Sequence, residues 1–181
     1  GFANTAVLSM TDLDGLRALP RFKAFESRVN SNARPCDNDP RFHAFDFWIG
    51  EWDVDGGLDG KTPVGKSTIT RIAKGCALHE NWRSAQGGDG QSLNVYDKAN
   101  GKWTQFWIGA DGVILRLEGG LQENSMVLEG LLKMPNDKVQ LQRITWTPMP
   151  DSRVSQRWET SDDTGKSWQI SFIGYYRKKT N

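Results

Sequence analysis

The sequence contains few of the residues that usually carry metal binding or nucleophilic catalysis. It has two cysteines and two histidines among 181 residues. Because a zinc site usually takes three or four ligands, His43 and His79 alone do not predict one, and we expect no metal. The Gly-x-Ser-x-Gly pattern that positions the serine of many hydrolases is also missing. The sequence therefore gives no support to a metalloenzyme or a serine hydrolase.

Net charge and long apolar stretches are lacking too. The 23 Lys and Arg residues balance 22 Asp and Glu residues, which leaves a net charge of +1. Nucleic-acid binding needs a surplus of positive charge to neutralise phosphates, and this chain has almost none. No apolar stretch approaches the ~20 residues that a membrane-spanning helix requires. We therefore expect neither a nucleic-acid partner nor a membrane span, and a protein partner is left open.

Aromatic residues and glycines are plentiful. The chain has eight Trp, eight Phe, three Tyr and 19 Gly, and that much aromatic surface argues against a disordered chain. From Phe42 onward, apolar residues follow a period of two, and turn sequences rich in Gly, Asn and Asp recur roughly every 8–14 residues. About ten strands are predicted, near residues 45–55, 65–74, 76–86, 91–97, 102–109, 112–120, 125–133, 138–147, 152–160 and 166–177.

The predicted strands favour one closed antiparallel sheet. No helical run is long enough to connect parallel strands, and closing a meander into a barrel removes its exposed edges. We therefore predict an all-β fold, a single antiparallel meander β-barrel of about ten strands over residues 42–178. Residues 1–41 are expected to form a helical and loop segment packed on the barrel, and residues 179–181 a short tail.

The N-terminal segment carries helix signals ahead of the first strand. Thr11 or Asp12 can cap a short helix, which we expect to end at Pro20. A second helical piece is predicted over residues 21–29, and residues 30–40 are predicted to form a loop.

The two cysteines, Cys36 and Cys76, are either buried free thiols or one disulfide. Cys36 lies in a loop that would otherwise be free to move, and closing a loop of about 40 residues would stabilise the fold by ~4 kcal/mol. We favour the disulfide, which implies an oxidising compartment. The chain begins at Gly1 without Met, which fits a residue left by tag cleavage or an exported protein whose leader is left off. We expect a periplasmic or secreted bacterial protein.

Several polar side chains fall on faces that the alternation of the strands turns inward. Glu80 shares its face with Leu78 and Trp82 and therefore points into the barrel. In strand 102–109 both faces are apolar, and Gln105 and Trp107 lie on one of them. The same reading turns further residues inward: Arg143, Gln156, Trp158, Trp168, Ile170 and Phe172. A buried carboxylate needs a partner or a proton, so this polar set is the candidate functional site.

We expect the barrel to bind a small, partly apolar ligand whose anionic or hydroxylated head group lies between Glu80 and Arg143. An isomerase- or lyase-type enzyme using both residues in the same cavity is the first alternative. The second is a structural or interaction module, in which the two residues pair directly or the interior holds only water. The candidate ligand-binding residues are Glu80, Trp82, Gln105, Trp107, Arg143, Gln156 and Trp158. No cofactor is expected.

Four segments carry a resemblance to known proteins. FDFWIGEWDV (45–54) contains Gly50-x-Trp52, which is typical of the first strand of calycins, the lipocalin and fatty-acid-binding superfamily. With GCALHENW (75–82), LQRITWT (141–147) and WETS-x-D (158–163), the chain resembles an uncharacterised family of bacterial lipocalin-like domains often found in exported proteins. The resemblance covers roughly residues 36–178 and implies a fold, but no activity.

The superfamily also implies structural roles for individual residues. Trp52 would plug the closed end of the barrel, and Gly50 would let another backbone approach. A basic residue of the last strand often caps that tryptophan by a cation–π contact, and Arg177 is the candidate. The haem-binding nitrobindins share this barrel architecture and carry their axial histidine in the C-terminal strands. Residues 137–181 contain no histidine, so haem is not expected.

One hairpin motif has a separate likeness. The sequence SDDTGKSW (161–168) resembles the Asp-box of sialidase-type propellers, although no propeller repeat accompanies it. There the aspartate accepts backbone N–H bonds and the tryptophan packs beneath the turn. We therefore expect Asp163, Gly165 and Trp168 to brace a turn rather than to take part in chemistry.

Overall fold

The computed structural model describes residues 1–134 and 137–179 and contains a closed barrel of ten antiparallel strands. The strands are β1 (Gly50–Gly56), β2 (Thr62–Ile72), β3 (Ala77–Ser84), β4 (Gly90–Asp97), β5 (Lys102–Gly109), β6 (Ile114–Gln122), β7 (Ser125–Lys133), β8 (Val139–Pro148), β9 (Val154–Ser161) and β10 (Gln169–Lys178). Each strand pairs with the next in sequence, and β10 closes the ring on β1. The predicted meander barrel is confirmed. The predicted turn at residues 135–137 and the tail at 179–181 lie largely outside the described residues.

The two-residue period of the sequence corresponds to side chains that alternate between the barrel interior and its outer surface. The interior holds the main core, with buried residues from every part of the sheet: Val54, Ile69, Leu78, Leu117, Met126, Leu128, Ile144 and Val154. Burying this apolar surface is the main force that stabilises the barrel.

Aromatic residues just ahead of β1 close one end of the barrel. The first strand was predicted to begin at residue 45, but Asp46–Trp48 form a 3₁₀ turn and β1 begins at Gly50. The turn places Phe45 and Trp48, both fully buried, against Trp146 at ring-centroid distances of 5.2 and 5.3 Å. Trp52 is also buried, and its Nε1 donates to the Trp48 carbonyl at 2.9 Å.

The N-terminal segment differs from the prediction in its helices. Thr5–Ser9 and Thr11–Leu16 are short 3₁₀ helices, and an α-helix, α1, spans Pro20–Ala33. Pro20 therefore begins a helix instead of ending one, because a proline at the first helical position loses no hydrogen bond. The apolar residues of this segment form their own small cluster, centred on Leu8, Phe22 and Val29. That the segment packs on the barrel stays a prediction.

A disulfide between Cys36 and Cys76 joins the chain after α1 to the start of β3, so the favoured pairing is confirmed. Polar contacts lie beside it. Arg71 donates to the Gly75 carbonyl at 2.7 Å and forms an ion pair with Asp46. His43 Nδ1 lies 2.7 Å from the same carboxylate. Among the described residues, no helix is both long enough and apolar enough to cross a membrane.

Candidate functional site

The buried rings of Phe45, Trp48 and Trp52 form an aromatic plug at the closed end of the barrel. A cavity of about 260 Å³ occupies the barrel interior beyond this plug. Its lining comes from β3, β5, β6, β8, β9 and β10: Glu80, Trp82, Gln105, Trp107, Leu115, Trp146, Gln156, Trp158, Ser171, Phe172 and Tyr176. Six of the seven predicted ligand-binding residues are in this lining, and Arg143 is not. Trp146 and Tyr176 also contact the plug, whereas Ser171 is exposed. The cavity therefore extends from a closed aromatic floor toward solvent.

Four neighbouring strands, β2 to β5, contribute a row of buried polar side chains to the interior. Ser67 Oγ donates to Glu80 Oε1 at 3.1 Å, and Ser92 Oγ donates to Glu80 Oε2 at 2.9 Å. Asn94 Nδ2 donates to Ser92 Oγ at 2.9 Å, and Gln105 Nε2 donates to Asn94 Oδ1 at 2.8 Å. Every donor in this row points toward Glu80, so the bonds form a directed chain that ends on the carboxylate.

The surroundings of Glu80 set its protonation. Burial raises the pKa of this carboxyl to about 7, because the loss of hydration outweighs the hydrogen bonds from Ser92 and Ser67. Tyr176, on β10, is the other titratable residue in the cavity lining. Burial raises the pKa of its phenol well above the usual value, and the charge of Glu80 adds to the effect. Glu80 is therefore the group that changes charge near neutral pH.

Aromatic rings form much of the remaining wall, and glycines on neighbouring strands make room for them. A Cβ atom at Gly65 would lie 2.7 Å from the Trp82 indole, and one at Gly90 would overlap the Trp107 indole. Trp82 also meets Phe172 edge to face, with ring centroids 6.2 Å apart. Since any larger residue at these two glycines would displace an indole, the glycines define the position of the rings.

Polar contacts on β8 to β10 complete the wall opposite Glu80. The Tyr176 hydroxyl donates to Gln156 Oε1, and Trp158 Nε1 donates to Gln142 Oε1 at 2.8 Å. Gln142 is fully buried. Trp146 Nε1 is buried without a hydrogen-bond partner among the described residues. This side of the interior thus combines aromatic rings with a few fixed polar groups.

Arg143, predicted to point into the cavity, lies on the outer face of β8, so that prediction was wrong. Its Nη2 is 3.0 Å from Glu159 Oε2, and its guanidinium lies 3.9 Å from the centroid of the Trp168 ring. Ile144 and Trp146 share the inward face of β8. Their apolar area is larger than that of Val139 and Leu141, which alternate with Arg143 on the other face at the start of the strand. Because Glu80 and Arg143 do not share a cavity, both the direct pair and the enzyme alternative built on them lose their geometric basis.

The inward prediction for β10 was right for Phe172 and wrong for Trp168 and Ile170. A β-bulge lies between Ile170 and Phe172 where β10 pairs with β9. The extra residue reverses the alternation, so Ser171 and Phe172 both line the cavity. Ile170 is 47% exposed, and Trp168 packs under Arg143 on the outer surface.

The hairpin before β10 has the bonding expected of an Asp-box. Asp163 Oδ1 accepts from the Ser167 backbone N–H at 2.9 Å and from Ser161 Oγ at 2.8 Å. The Gly165 N–H donates to Ser161 Oγ at 2.9 Å, with the glycine at a φ of +88°. The hydroxyl and N–H of Ser167 hold the pKa of Asp163 at about 2. These contacts brace the turn that carries Trp168.

The predicted cap on Trp52 is provided by a different residue. Lys178 Nζ lies 5.5 Å from the centroid of the Trp52 ring, whereas Arg177 pairs with Asp55 at 3.1 Å. Adjacent residues of a strand point to opposite faces, so the prediction was wrong by one position. A Cβ atom at Gly50 would lie 3.3 Å from the Trp52 indole, so the nearest neighbour of this glycine is the ring and not, as predicted, another backbone.

Five lining residues were not predicted as site residues: Leu115, Trp146, Ser171, Phe172 and Tyr176. The alternation of β6 and β10 contains the signal for Leu115 and Tyr176. The bulge hides Ser171, because nothing in the local sequence announces an extra residue. Ser67 and Ser92, which bond to Glu80, were also missed, since serine is more often exposed than buried.

The two histidines lie apart from this cavity. His79 Nε2 is 2.9 Å from Gln91 Oε1 in an exposed contact, and His43 belongs to the group beside the disulfide. Within residues 1–134 and 137–179, no cluster of three or more His, Cys, Asp and Glu side chains is arranged to hold a metal ion.

The chain was compared with models of known protein families and with curated proteins. No model of a known protein family matches the chain, and no match is found among curated proteins. The function is therefore inferred from the cavity and its chemistry.

Proposed function

We propose that the protein binds a small, partly apolar ligand with a polar head group inside the barrel. The observation that carries this proposal is the division of the interior into two kinds of wall. A row of hydrogen-bonded polar groups ends on Glu80, while aromatic rings from β3, β5, β8, β9 and β10 form the rest. An apolar cavity with a few convergent polar groups is the common design of small-molecule sites.

The dimensions of the cavity limit the ligand. At 260 Å³ it is slightly smaller than typical sites for drug-sized molecules. A small molecule with one ring and a short polar chain is of suitable size for this space.

We also propose that the protein is an exported member of the lipocalin-like group that its sequence resembles. The four quoted segments and the Cys36–Cys76 disulfide support this assignment, because such bonds persist in oxidising compartments. The ligand of an exported binding protein of this size is taken up from outside the cytoplasm, so a water-soluble molecule fits the proposal.

The binding proposal can be tested with 3-phenyl-1-propanol, a neutral probe of suitable size. Titration calorimetry is expected to show one site per chain. Ser171→Trp places an indole into the mouth of the cavity and should abolish binding. Ile170→Trp, one residue away on the exposed outer face, is the matched control and should leave the affinity unchanged. Equal loss in both variants, or binding that survives Ser171→Trp, would contradict a site in the barrel.

A further inference from the structure

The cavity holds one group that ionises near neutral pH and no basic partner for it. Glu80 and Tyr176 are the only titratable residues in the lining, and within the described part of the chain no Lys, Arg or His reaches it. Arg143 is held outside by Glu159. A buried charge is normally paired, because an unpaired one is costly. The carboxylate of Glu80 therefore lacks the cation that such a position usually has.

The hydrogen bonds around Glu80 are arranged to receive a negative charge. Both of its oxygens accept from serine hydroxyls, at 3.1 and 2.9 Å. Behind Ser92, Asn94 and Gln105 extend the same donor direction. Aligned donors polarise one another and strengthen the bond to the final acceptor. The ionised carboxylate can accept from both serines at once, whereas the protonated acid would have to turn one of these hydroxyls into an acceptor.

The aromatic wall favours the opposite charge in the ligand. Six rings line the cavity: Trp82, Trp107, Trp146, Trp158, Phe172 and Tyr176. The face of each ring carries partial negative charge and attracts cations, most strongly in tryptophan and in places shielded from water. Where a ring turns its face to the ligand, its attraction for a cation adds to that of the carboxylate.

We infer that the ligand is an organic cation, a small amine with an apolar body, whose ammonium group contacts Glu80 while the aromatic rings surround it. This inference rests on the proposed function and names the class of its ligand. The anionic head group allowed by the sequence would meet Glu80 without any basic residue to offset the repulsion. A neutral alcohol could donate to Glu80 but would leave the charge uncompensated.

Three probes with one common body test the charge preference. They are 3-phenylpropylamine, 3-phenyl-1-propanol and 3-phenylpropanoate, which are cationic, neutral and anionic near pH 8.5, where Glu80 is ionised. In calorimetric titrations of the wild-type protein, the amine should bind at least about ten-fold more tightly than the alcohol. The anion should bind more weakly than both. Since this ranking uses the unmodified protein, it does not depend on whether a variant folds.

A substitution then identifies the group responsible. Glu80→Gln keeps the size of the side chain but removes its charge, and should bring the amine and the alcohol to about the same affinity. Glu118→Gln removes a half-exposed carboxylate on the outer face of β6, where it pairs with Lys102, and should keep the preference for the amine.

The possible failures are distinguishable. If none of the three probes binds the wild-type protein, the proposed function itself is wrong. If the alcohol binds as tightly as the amine, or the anion more tightly, the barrel is a binding site but its ligand is not a cation. A preference for the amine that persists in Glu80→Gln would overturn the role of the carboxylate.

Discussion

The titration of Glu80 should make the stability of the protein fall as the pH rises through neutrality. In the folded state its pKa is about 7, against 4.5 in an ordinary environment. Between these two values the folded chain holds a proton that the unfolded chain has lost. Raising the pH therefore favours the unfolded state, and the stabilisation present below pH 4.5 is lost as the pH passes 7.

The magnitude follows from the interval between the two pKa values. Each pH unit is worth about 1.4 kcal/mol, so the whole interval lowers the free energy of unfolding by about 3 kcal/mol. Glu80→Gln removes this titration with little change in shape. The difference in unfolding free energy, wild type minus Glu80→Gln, should fall by about 3 kcal/mol between about pH 4 and pH 8.

Urea unfolding, followed by tryptophan fluorescence at several pH values, measures this difference. Other carboxylates titrate in both proteins and cancel in the comparison. Glu118→Gln, at a half-exposed position, should differ from wild type by a nearly constant amount, within about 0.5 kcal/mol. A flat difference for Glu80→Gln would mean that the carboxyl titrates at its ordinary pKa. A difference that rises with pH would mean that a cation of the protein stabilises it, and either result refutes the reasoning.

Three further predictions concern the frame around the cavity. The denatured, unreduced protein should contain no reactive thiol in a colorimetric assay, and replacing Cys36 and Cys76 by serine should cost ~4 kcal/mol in chemical unfolding; two free thiols would disprove the bond. Trp52→Ala should destabilise the barrel by about 3–5 kcal/mol, and a loss below about 1 kcal/mol would show that this ring does not hold the closed end. Arg143→Met should lower stability by about 0.5–1.5 kcal/mol, because Glu159 loses one arginine partner and keeps Arg157 at 2.8 Å. The affinity for 3-phenylpropylamine should stay unchanged, and a loss of binding would mean that Arg143 belongs to the site.

The barrel could be predicted because its signals repeat in every strand. The two-residue period and the Gly, Asn and Asp turns occur about ten times, so one irregular segment does not change the conclusion. The plug was harder to foresee, because Phe45 and Trp48 fit a strand as well as a turn. Only their burial under Trp146 distinguishes the two.

The site was predicted well where a strand is regular and poorly where it is not. Glu80, between Leu78 and Trp82, was assigned correctly because β3 alternates without interruption. Arg143 was misassigned because the apolar residues at the two ends of β8 alternate on opposite faces of the strand. The face that carries Trp146 is the one that points inward. The bulge before Phe172 reversed the reading for the first residues of β10. Such choices depend on contacts between distant strands, which a local pattern does not contain.

The most direct test of the account is the affinity for 3-phenylpropylamine as a function of pH. This amine stays protonated below about pH 9, so the titration reports on the protein. The groups that face Glu80 are Ser67 and Ser92 on the neighbouring strands and Tyr176 of β10, whose phenol stays neutral in this range. Binding to the ionised carboxylate should tighten by about 30-fold between pH 5.5 and 8.5 and level off above about pH 7. An affinity that is constant over this range, or one that weakens as the pH rises, would contradict a cation-binding cavity centred on Glu80.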